Sequence, residues 1–176
     1  MLRRRMMMQS EGGSKEPNSI LSWGIPISCG VIKKPNTTCF AEFKCEDENI
    51  QSLIIGDAIK SDGFVAFSYG EKYNHLTFRI GSRYGFFGDV KEKHSVRIEN
   101  ETGYGYKDGK LLLKGTTSIT EERTIKICGY GVRIYNAKIF EGDELVRELI
   151  PTKIGNDYGF FDKVDGGFYT APYFTE

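Results

Sequence analysis

The feature that most constrains this chain is a succession of short apolar runs that alternate with turn-forming residues. Side chains within the runs follow a period of two, as in "CFAEFKC", "HLTFRIG" and "GVRIYNAKIF". A period of two is typical of β-strands, and the 3.6-residue period of a helix is nearly missing. About ten such runs follow one another with turn residues between them, which favours an all-β sandwich or barrel.

Two hairpins are predicted from their turn chemistry. The pair Asp108-Gly109 suits a two-residue type I′ turn, because its second position needs a positive φ that glycine adopts freely. Two longer strands flank Glu141-Gly142-Asp143, and Pro151 is expected to end the second of them because proline cannot donate to a sheet ladder. Strict alternation places Tyr135, Ala137 and Ile139 on one face of this hairpin and Ile134, Asn136, Lys138 and Phe140 on the other.

The chain keeps its aromatic character almost to its last residue, in "YGFFDKVDGGFYTAPYF". Aromatic side chains bury large apolar areas, so this segment is expected to complete the core rather than to trail away from it. We predict a closing hairpin across a neighbouring sheet, with four core aromatics: Phe160, Phe161, Phe168 and Tyr169.

The domain organisation predicted from the sequence is a flexible tail over residues 1–22 and a single domain over residues 23–176. In the tail, three arginines are followed by only three methionines before polar residues return. The tail therefore lacks the apolar region of a secretory signal, and no export is expected. No apolar run reaches the length needed to cross a bilayer, so no membrane partner is expected. Lysine and arginine number 24 against 24 aspartates and glutamates, a balance that predicts no nucleic-acid partner.

Neither a metal nor a cofactor is predicted. The four cysteines are too few for a disulfide framework in a chain of this length, and they lack the paired spacing of a zinc site. His75 and His94 are distant from each other and from any cysteine pair. The sequence also contains no nucleophile elbow, zinc-protease motif or phosphate-binding loop, so no catalytic residue is assigned.

The segment "RIYNAKIFEGDELVRELIPTKIGNDYGFFDKVDGGFYT" resembles the closing part of concanavalin A-like lectin/glucanase, or laminin G-like, modules. Such modules occur in bacteriophage tail and other virion proteins and in proteins of gut bacteria. Their pattern is a strand of the type I-Y-x-x-K-I-Y/F, then L-V-R-D/E-x-I/V-P, then G-x-x-D-x-V-x-G-x-F/Y. The resemblance extends more weakly upstream to about Trp23 and implies a two-sheet antiparallel jelly-roll sandwich.

What the resemblance implies about chemistry is less specific, because this fold hosts lectins, hydrolases and plain structural modules. The related glucanases place acids alternately on one strand, Glu-x-Asp-x-(x)-Glu, so that all of them face the substrate. The nearest segments here, "EGDELV" and "CEDENI", depart from that pattern. We therefore expect no enzyme, and glycoside hydrolysis is the least favoured alternative.

Carbohydrate binding is the sharper functional hypothesis, because lectins stack sugar rings on aromatic residues and hydrogen-bond their hydroxyls with polar ones. The alternative is that the tyrosines among the candidate residues, which are given at the end of this paragraph, only cover sheet edges. The expected role is a non-enzymatic binding or structural module of phage or prophage origin, with a glycan or a virion or surface protein as partner. Such a protein is expected to be associated with a virion or to stay in the cytoplasm until lysis. A structural assembly module without a small ligand is the other possibility, and the sequence leaves the oligomeric state open. The candidate sugar-binding residues are Tyr69, Tyr73, Asn74, Arg83, Tyr84, Tyr104 and Tyr106.

Overall fold

The computed structural model of the chain describes residues 17–47, 51–57, 63–69, 75–115 and 123–176. Within these ranges every regular element is a β-strand. In chain order the strands are β1 (Ile20–Ser22), β2 (Ile27–Ile32), β3 (Thr37–Cys45), β4 (Ser52–Gly56), β5 (Phe64–Tyr69), β6 (His75–Ile80), β7 (Arg83–Phe87), β8 (His94–Glu99), β9 (Tyr104–Lys107), β10 (Lys110–Lys114), β11 (Thr124–Ile127), β12 (Val132–Glu141), β13 (Glu144–Ile154), β14 (Asp157–Asp162), β15 (Phe168–Thr170) and β16 (Phe174–Thr175).

The strands form two antiparallel sheets. The larger sheet has ten strands, with the order β10-β9-β8-β3-β12-β13-β14-β15; β1 pairs with the first part of β12, and β16 pairs with β1. The smaller sheet has six strands in the order β2-β11-β4-β5-β6-β7. The prediction of an all-β fold with two antiparallel sheets is therefore confirmed.

The two sheets pack face to face around one main apolar core, to which both contribute. Phe43 and Ile98 come from the larger sheet and Phe64 and Phe78 from the smaller, and all four are fully buried. The sheets approach so closely at Gly105 that a Cβ atom there would lie 2.9 Å from the Phe78 ring. This arrangement is a β-sandwich, in which apolar side chains alternate inward along each strand.

A β-bulge changes the faces predicted for the β12–β13 hairpin. Strict alternation puts Ile134 on the face opposite to Ala137, but the register with β3 shifts between Ile134 and Asn136. The extra residue is Tyr135, and it brings Ile134 onto the core face together with Ala137; both are fully buried. Asn136, Lys138 and Phe140 then point away from the core, as the alternation predicts.

The aromatic end of the chain is part of the fold, although its layering differs from the prediction. β14 and β15 extend the larger sheet beyond β13 instead of crossing the smaller one. Phe160 and Tyr169 enter the core, whereas Phe161 and Phe168 pair with each other on the other face and remain half-buried. The last strand, β16, pairs with β1 and buries Phe174, so the two ends of the described chain are joined.

Two boundaries differ from those expected from the sequence. β1 precedes the domain start placed at Trp23, and its pairing with β12 makes Ile20–Ser22 part of the larger sheet. β13 continues through Pro151 to Ile154. Its pairing with β12 stops at Leu149, so Pro151 pairs only with β14, and its missing N–H interrupts no second ladder. The Asp108-Gly109 turn is confirmed, with φ values of 49° and 75°.

Two charged groups are buried where strands end. The Lys33 Nζ donates to Asp57 Oδ2 over 3.0 Å, and both side chains are almost fully buried. The other oxygen of Asp57 accepts the Phe64 N–H, so this ion pair fixes the ends of β2 and β4 against β5.

In the part of the chain that the structure describes, no helix is long and apolar enough to cross a bilayer.

Candidate functional site: a groove across the larger sheet

The outer face of the larger sheet is set by the alternation in β3. The burial of "TTCFAEFKC" alternates without interruption along the strand. Cys39, Ala41 and Phe43 enter the core, which leaves Phe40 and Glu42 on the outer face with half-buried side chains. The alternation of β3 therefore places an aromatic ring, that of Phe40, on the outer face of the sheet.

Strand register aligns the outward side chains of six strands into a transverse row. Each pair of neighbours in the row is directly opposite in the sheet. Neighbouring strands lie about 4.8 Å apart, so six side chains span roughly 24 Å across the sheet. From β10 to β13 this first row is Leu111, Tyr106, Arg97, Phe40, Lys138 and Glu148.

A second row runs beside the first. It lies two residues away on β9, β8, β3 and β12, and three residues away on β10 and β13, where the register shifts. The rings of Tyr104 and Tyr106 belong to the two rows and meet edge to face at 6.3 Å. Aromatic side chains therefore occur near both ends of the rows, on β9 and on β12. From β10 to β13 the second row is Lys114, Tyr104, Glu99, Thr38, Phe140 and Leu145.

The middle of the two rows forms a groove of about 580 Å³. Its floor is made by β3 and β12, and the β12–β13 turn closes one end. Asn136 contributes an amide whose Oδ1 is buried and accepts no hydrogen bond from the described residues. Such an amide is a polar group that a bound ligand could satisfy. The residues lining the groove are Thr38, Phe40, Glu42, Arg97, Asn136, Lys138, Phe140, Gly142 and Asp143.

The charges in and beside the groove are arranged in ion pairs. Arg97 Nη2 lies 2.6 Å from Glu99 Oε1, and Lys138 Nζ lies 3.2 Å from Glu148 Oε1. On the side of β3, Lys93 Nζ lies 3.1 Å from Glu42 Oε2. The groove therefore offers aromatic surface and hydrogen-bonding groups rather than a field of one sign.

Tyr106, the second residue of the first row, keeps its hydroxyl proton at neutral pH. Desolvation and the nearby carboxylate of Glu99 raise the pKa of Tyr106 above its usual value of 10.0. The Arg97 guanidinium lies over its ring, with Cζ 5.6 Å from the centroid. Tyr106 can thus donate a hydrogen bond from its hydroxyl and present one ring face at the same time.

The described residues among those predicted to bind sugar are distributed over both sheets. Tyr104 and Tyr106 lie in the two rows, whereas Tyr84 and Arg83 lie on β7, at the edge of the smaller sheet. There Tyr84 is 59% exposed and meets Phe86 edge to face at 5.7 Å. Tyr69 is the last residue of β5, in the smaller sheet. Tyr73 and Asn74 lie outside the described residues.

The sequence predicts little of the groove. Alternation gives the faces of Phe40 and Phe140, but it does not say which strands become neighbours. The alternation in β3 and in β12 was the available signal: Phe40, Lys138 and Phe140 all take the positions opposite to the core residues. The neighbourhood of β3 and β12, far apart in the sequence, could not be read from it.

A second groove lies at one end of the sandwich and is mainly apolar. It has a volume of about 460 Å³ and is bordered by the β1–β2 connection and the start of β4. Ile25 is 75% exposed, and the exposed rings of Trp23 and Tyr130 meet edge to face at 5.4 Å beside it. Exposed apolar groups gathered in this way are typical of contact surfaces.

The cysteines are all free and buried. Desolvation raises the pKa of Cys29 and of Cys45 to about 12, and it also raises the pKa of Cys39 and Cys128. A thiol is nucleophilic only as its thiolate, so these groups are core side chains rather than reactive ones. Among the described residues, no three His, Cys, Asp or Glu side chains come together in a way that could hold a metal ion.

Comparison with known proteins adds no relative: no protein-family model matches the chain, and no curated protein is significantly similar to it.

Proposed function

We propose that this protein is a non-enzymatic carbohydrate-binding module with jelly-roll topology of the concanavalin A-like type, and that the groove across the larger sheet is its binding site. The observation that carries the proposal is the first row, in which Tyr106, Arg97 and Phe40 are direct neighbours. Sugar rings stack on aromatic faces, and their hydroxyls pair with amide, carboxylate and guanidinium groups. The row supplies both kinds of contact over the length of several sugar units.

The jelly-roll assignment is supported by the two antiparallel sheets and by the sequence resemblance of the β12–β15 segment. The same resemblance supports a phage or prophage origin and a place on a virion, where the ligand would be a polysaccharide of a cell surface. Binding is favoured over hydrolysis because glycosidases need an acid and a second carboxylate on opposite sides of the scissile bond. Here Glu42 is engaged by Lys93, and the flanking Glu99 and Glu148 are engaged by Arg97 and Lys138.

The test is a polysaccharide panel read by affinity electrophoresis, with Phe40→Ala and Tyr106→Ala as variants. Either variant should bind the polysaccharide about tenfold or more weakly. The stacking of a nucleic-acid base on an aromatic side chain, a contact of comparable size, contributes about 1–3 kcal/mol. Tyr84→Ala is the control, since it removes a tyrosine that is more exposed than Tyr106 and lies on the other sheet. Loss of binding in Tyr84→Ala alone would move the site to β7, and release of reducing ends by the wild type would show a hydrolase.

A second candidate function is assembly within a virion or surface structure, without a sugar ligand. The apolar groove beside Trp23, Ile25 and Tyr130 favours it, because such a surface is costly to leave in water. Light scattering after size-exclusion chromatography tests this candidate on the wild type and on Ile25→Ser. A strictly monomeric wild type that also binds no tail or surface component would contradict it.

A further inference from the structure

We infer that the groove selects uncharged polysaccharide chains, because its own ion pairs neutralise the groups that would otherwise hold a sulfated or uronic-acid chain. This inference rests on the proposed function and specifies the ligand class of the same site. It follows from the positions of the charged groups relative to the aromatic rings.

Each cation of the first row has a carboxylate in its immediate neighbourhood. Glu99 lies two residues from Arg97 on β8, so both side chains point to the outer face, and their nearest atoms are 2.6 Å apart. Glu148 is directly opposite Lys138, so their charges meet across β12 and β13 at 3.2 Å. The pairs are therefore consequences of strand register.

A third pair closes the side of the groove formed by β3. Lys93 is held between the Glu42 carboxylate, at 3.1 Å, and the ring of Tyr135, whose centroid lies 4.6 Å from Nζ. Around the groove, the cations Arg97, Lys138 and Lys93 thus face Glu99, Glu148 and Glu42. Asp143 in the β12–β13 turn adds one further acid, so the net charge of this set is slightly negative.

Anionic chains bind proteins by pairing their sulfates or carboxylates with cations that are free to accept them. In this groove such a chain would have to displace a carboxylate from each cation that it used. A neutral chain needs no such exchange, because it stacks on Phe40 and Tyr106 and hydrogen-bonds to Asn136 and to the outer edges of the ion pairs. The charge arrangement thus disfavours anionic ligands and leaves neutral ones unaffected.

The test compares dextran with dextran sulfate, which share one backbone, together with a neutral β-glucan and polygalacturonate. Affinity electrophoresis is run at 50 and at 500 mM salt, because exposed charges are strongly screened at the higher concentration. The change in affinity between the two concentrations measures the contribution of charge. The wild type should prefer the neutral member of each pair, and its affinity should change less than about twofold with salt. Tighter binding of dextran sulfate by the wild type would overturn the inference.

Variants that release the cations provide the second arm. Glu99→Gln and Glu148→Gln should each raise the affinity for dextran sulfate about threefold, and the double variant about tenfold, with the gain lost at high salt. Asp157→Asn is the matched control, because it removes one negative charge from an exposed residue at the start of β14. Circular dichroism of each variant verifies that the sheet is intact.

The outcomes separate the inference from the function on which it rests. If the variants gain dextran sulfate binding while the wild type binds no polysaccharide at all, the ion pairs do mask the cations and the carbohydrate function is wrong. If the wild type binds a neutral chain through Phe40 but the variants gain nothing, the function stands and the charge inference is wrong. An equal gain in Asp157→Asn would reduce the effect to net charge and would also contradict the inference.

Discussion

The guanidinium of Arg97 lies over the ring of Tyr106, with its central carbon 5.6 Å from the ring centroid, and the same guanidinium contacts Glu99. Because β8 and β9 pair in register at these two residues, the contact is built into the sheet. A cation held over an exposed aromatic ring stabilises by about 0.5–1 kcal/mol. Arg97 thus orders the Tyr106 ring as well as lining the groove.

The first prediction concerns that contact. Arg97→Lys keeps the positive charge but removes the flat guanidinium, so the Tyr106 ring should lose its defined orientation. The ring resonances of Tyr106 should shift towards those of an exposed tyrosine, and the affinity for a neutral polysaccharide should fall about threefold to tenfold. Arg83→Lys, on β7 of the other sheet, should change neither. Unaltered Tyr106 resonances in Arg97→Lys would contradict the ordering role.

The second prediction concerns the buried pair Lys33–Asp57. Lys33→Met leaves the Asp57 carboxylate buried without its cation, so the free energy of unfolding should fall by about 3–5 kcal/mol. Asp57→Asn in the same chain removes the uncompensated charge while it keeps an oxygen for the Phe64 N–H.

The double variant Lys33→Met/Asp57→Asn should therefore be more stable than Lys33→Met alone. Urea denaturation of the wild type, both single variants and the double variant completes the cycle and gives the coupling energy. If the losses of stability in the two single variants add up to the loss in the double variant, the two charges do not interact.

How much of this structure the sequence predicts depends on whether a feature is local. The strands and the Asp108-Gly109 turn follow from alternation and from turn chemistry within a few residues, and both are confirmed. The face of Ile134 does not follow from local alternation, because the extra residue Tyr135 reverses the inward–outward alternation in the part of β12 that precedes it. Bulges of this kind leave no distinct mark in a chain whose strands already mix polar and apolar residues.

The candidate site depends on the register between strands that are distant in the sequence. The sequence therefore predicts only the two tyrosines of β9, at one side of the site. The sequence points to Tyr104 and Tyr106 because they are aromatic and lie close to a turn and to polar groups. Phe40 lies opposite Arg97 and Lys138 only after β3 has paired with β8 on one side and β12 on the other. Tyr84 matches the same local criteria as Tyr104 but lies on the other sheet, so composition near a turn does not distinguish the two.

The third prediction follows from the buried thiols. Desolvation raises the pKa of Cys29 and Cys45 to about 12, so almost no thiolate is present at pH 8. The folded protein should react with iodoacetamide or a disulfide reagent only as fast as it unfolds, and all four cysteines should react at once in denaturant. Mass spectrometry after pulsed alkylation measures both. Rapid labelling of one cysteine under native conditions would show that its strand opens locally.

The last prediction concerns the pH dependence of stability at the β9–β10 turn. Desolvation opposes ionisation of Asp108, but the Ser95 N–H, the His94 ring and Lys107 together lower its pKa below the usual 3.8. Oδ1 accepts the Ser95 N–H and Oδ2 lies 2.8 Å from His94 Nδ1. A carboxyl whose pKa is lowered by folding stabilises the folded state above its unfolded pKa, and this contribution is lost as the pH falls through the folded value.

Asp108→Asn isolates the charge, because asparagine also accepts the positive φ of 49° and keeps an oxygen for Ser95. The variant should be less stable than the wild type at pH 5, by less than about 1 kcal/mol since the side chain is half exposed and its ion pair is screened. The difference should be smaller at pH 2, where a larger fraction of the wild-type carboxyl is protonated in the folded state as well. Urea denaturation at the two pH values measures it, and a difference that stayed constant would show that Asp108 acts through its shape rather than its charge.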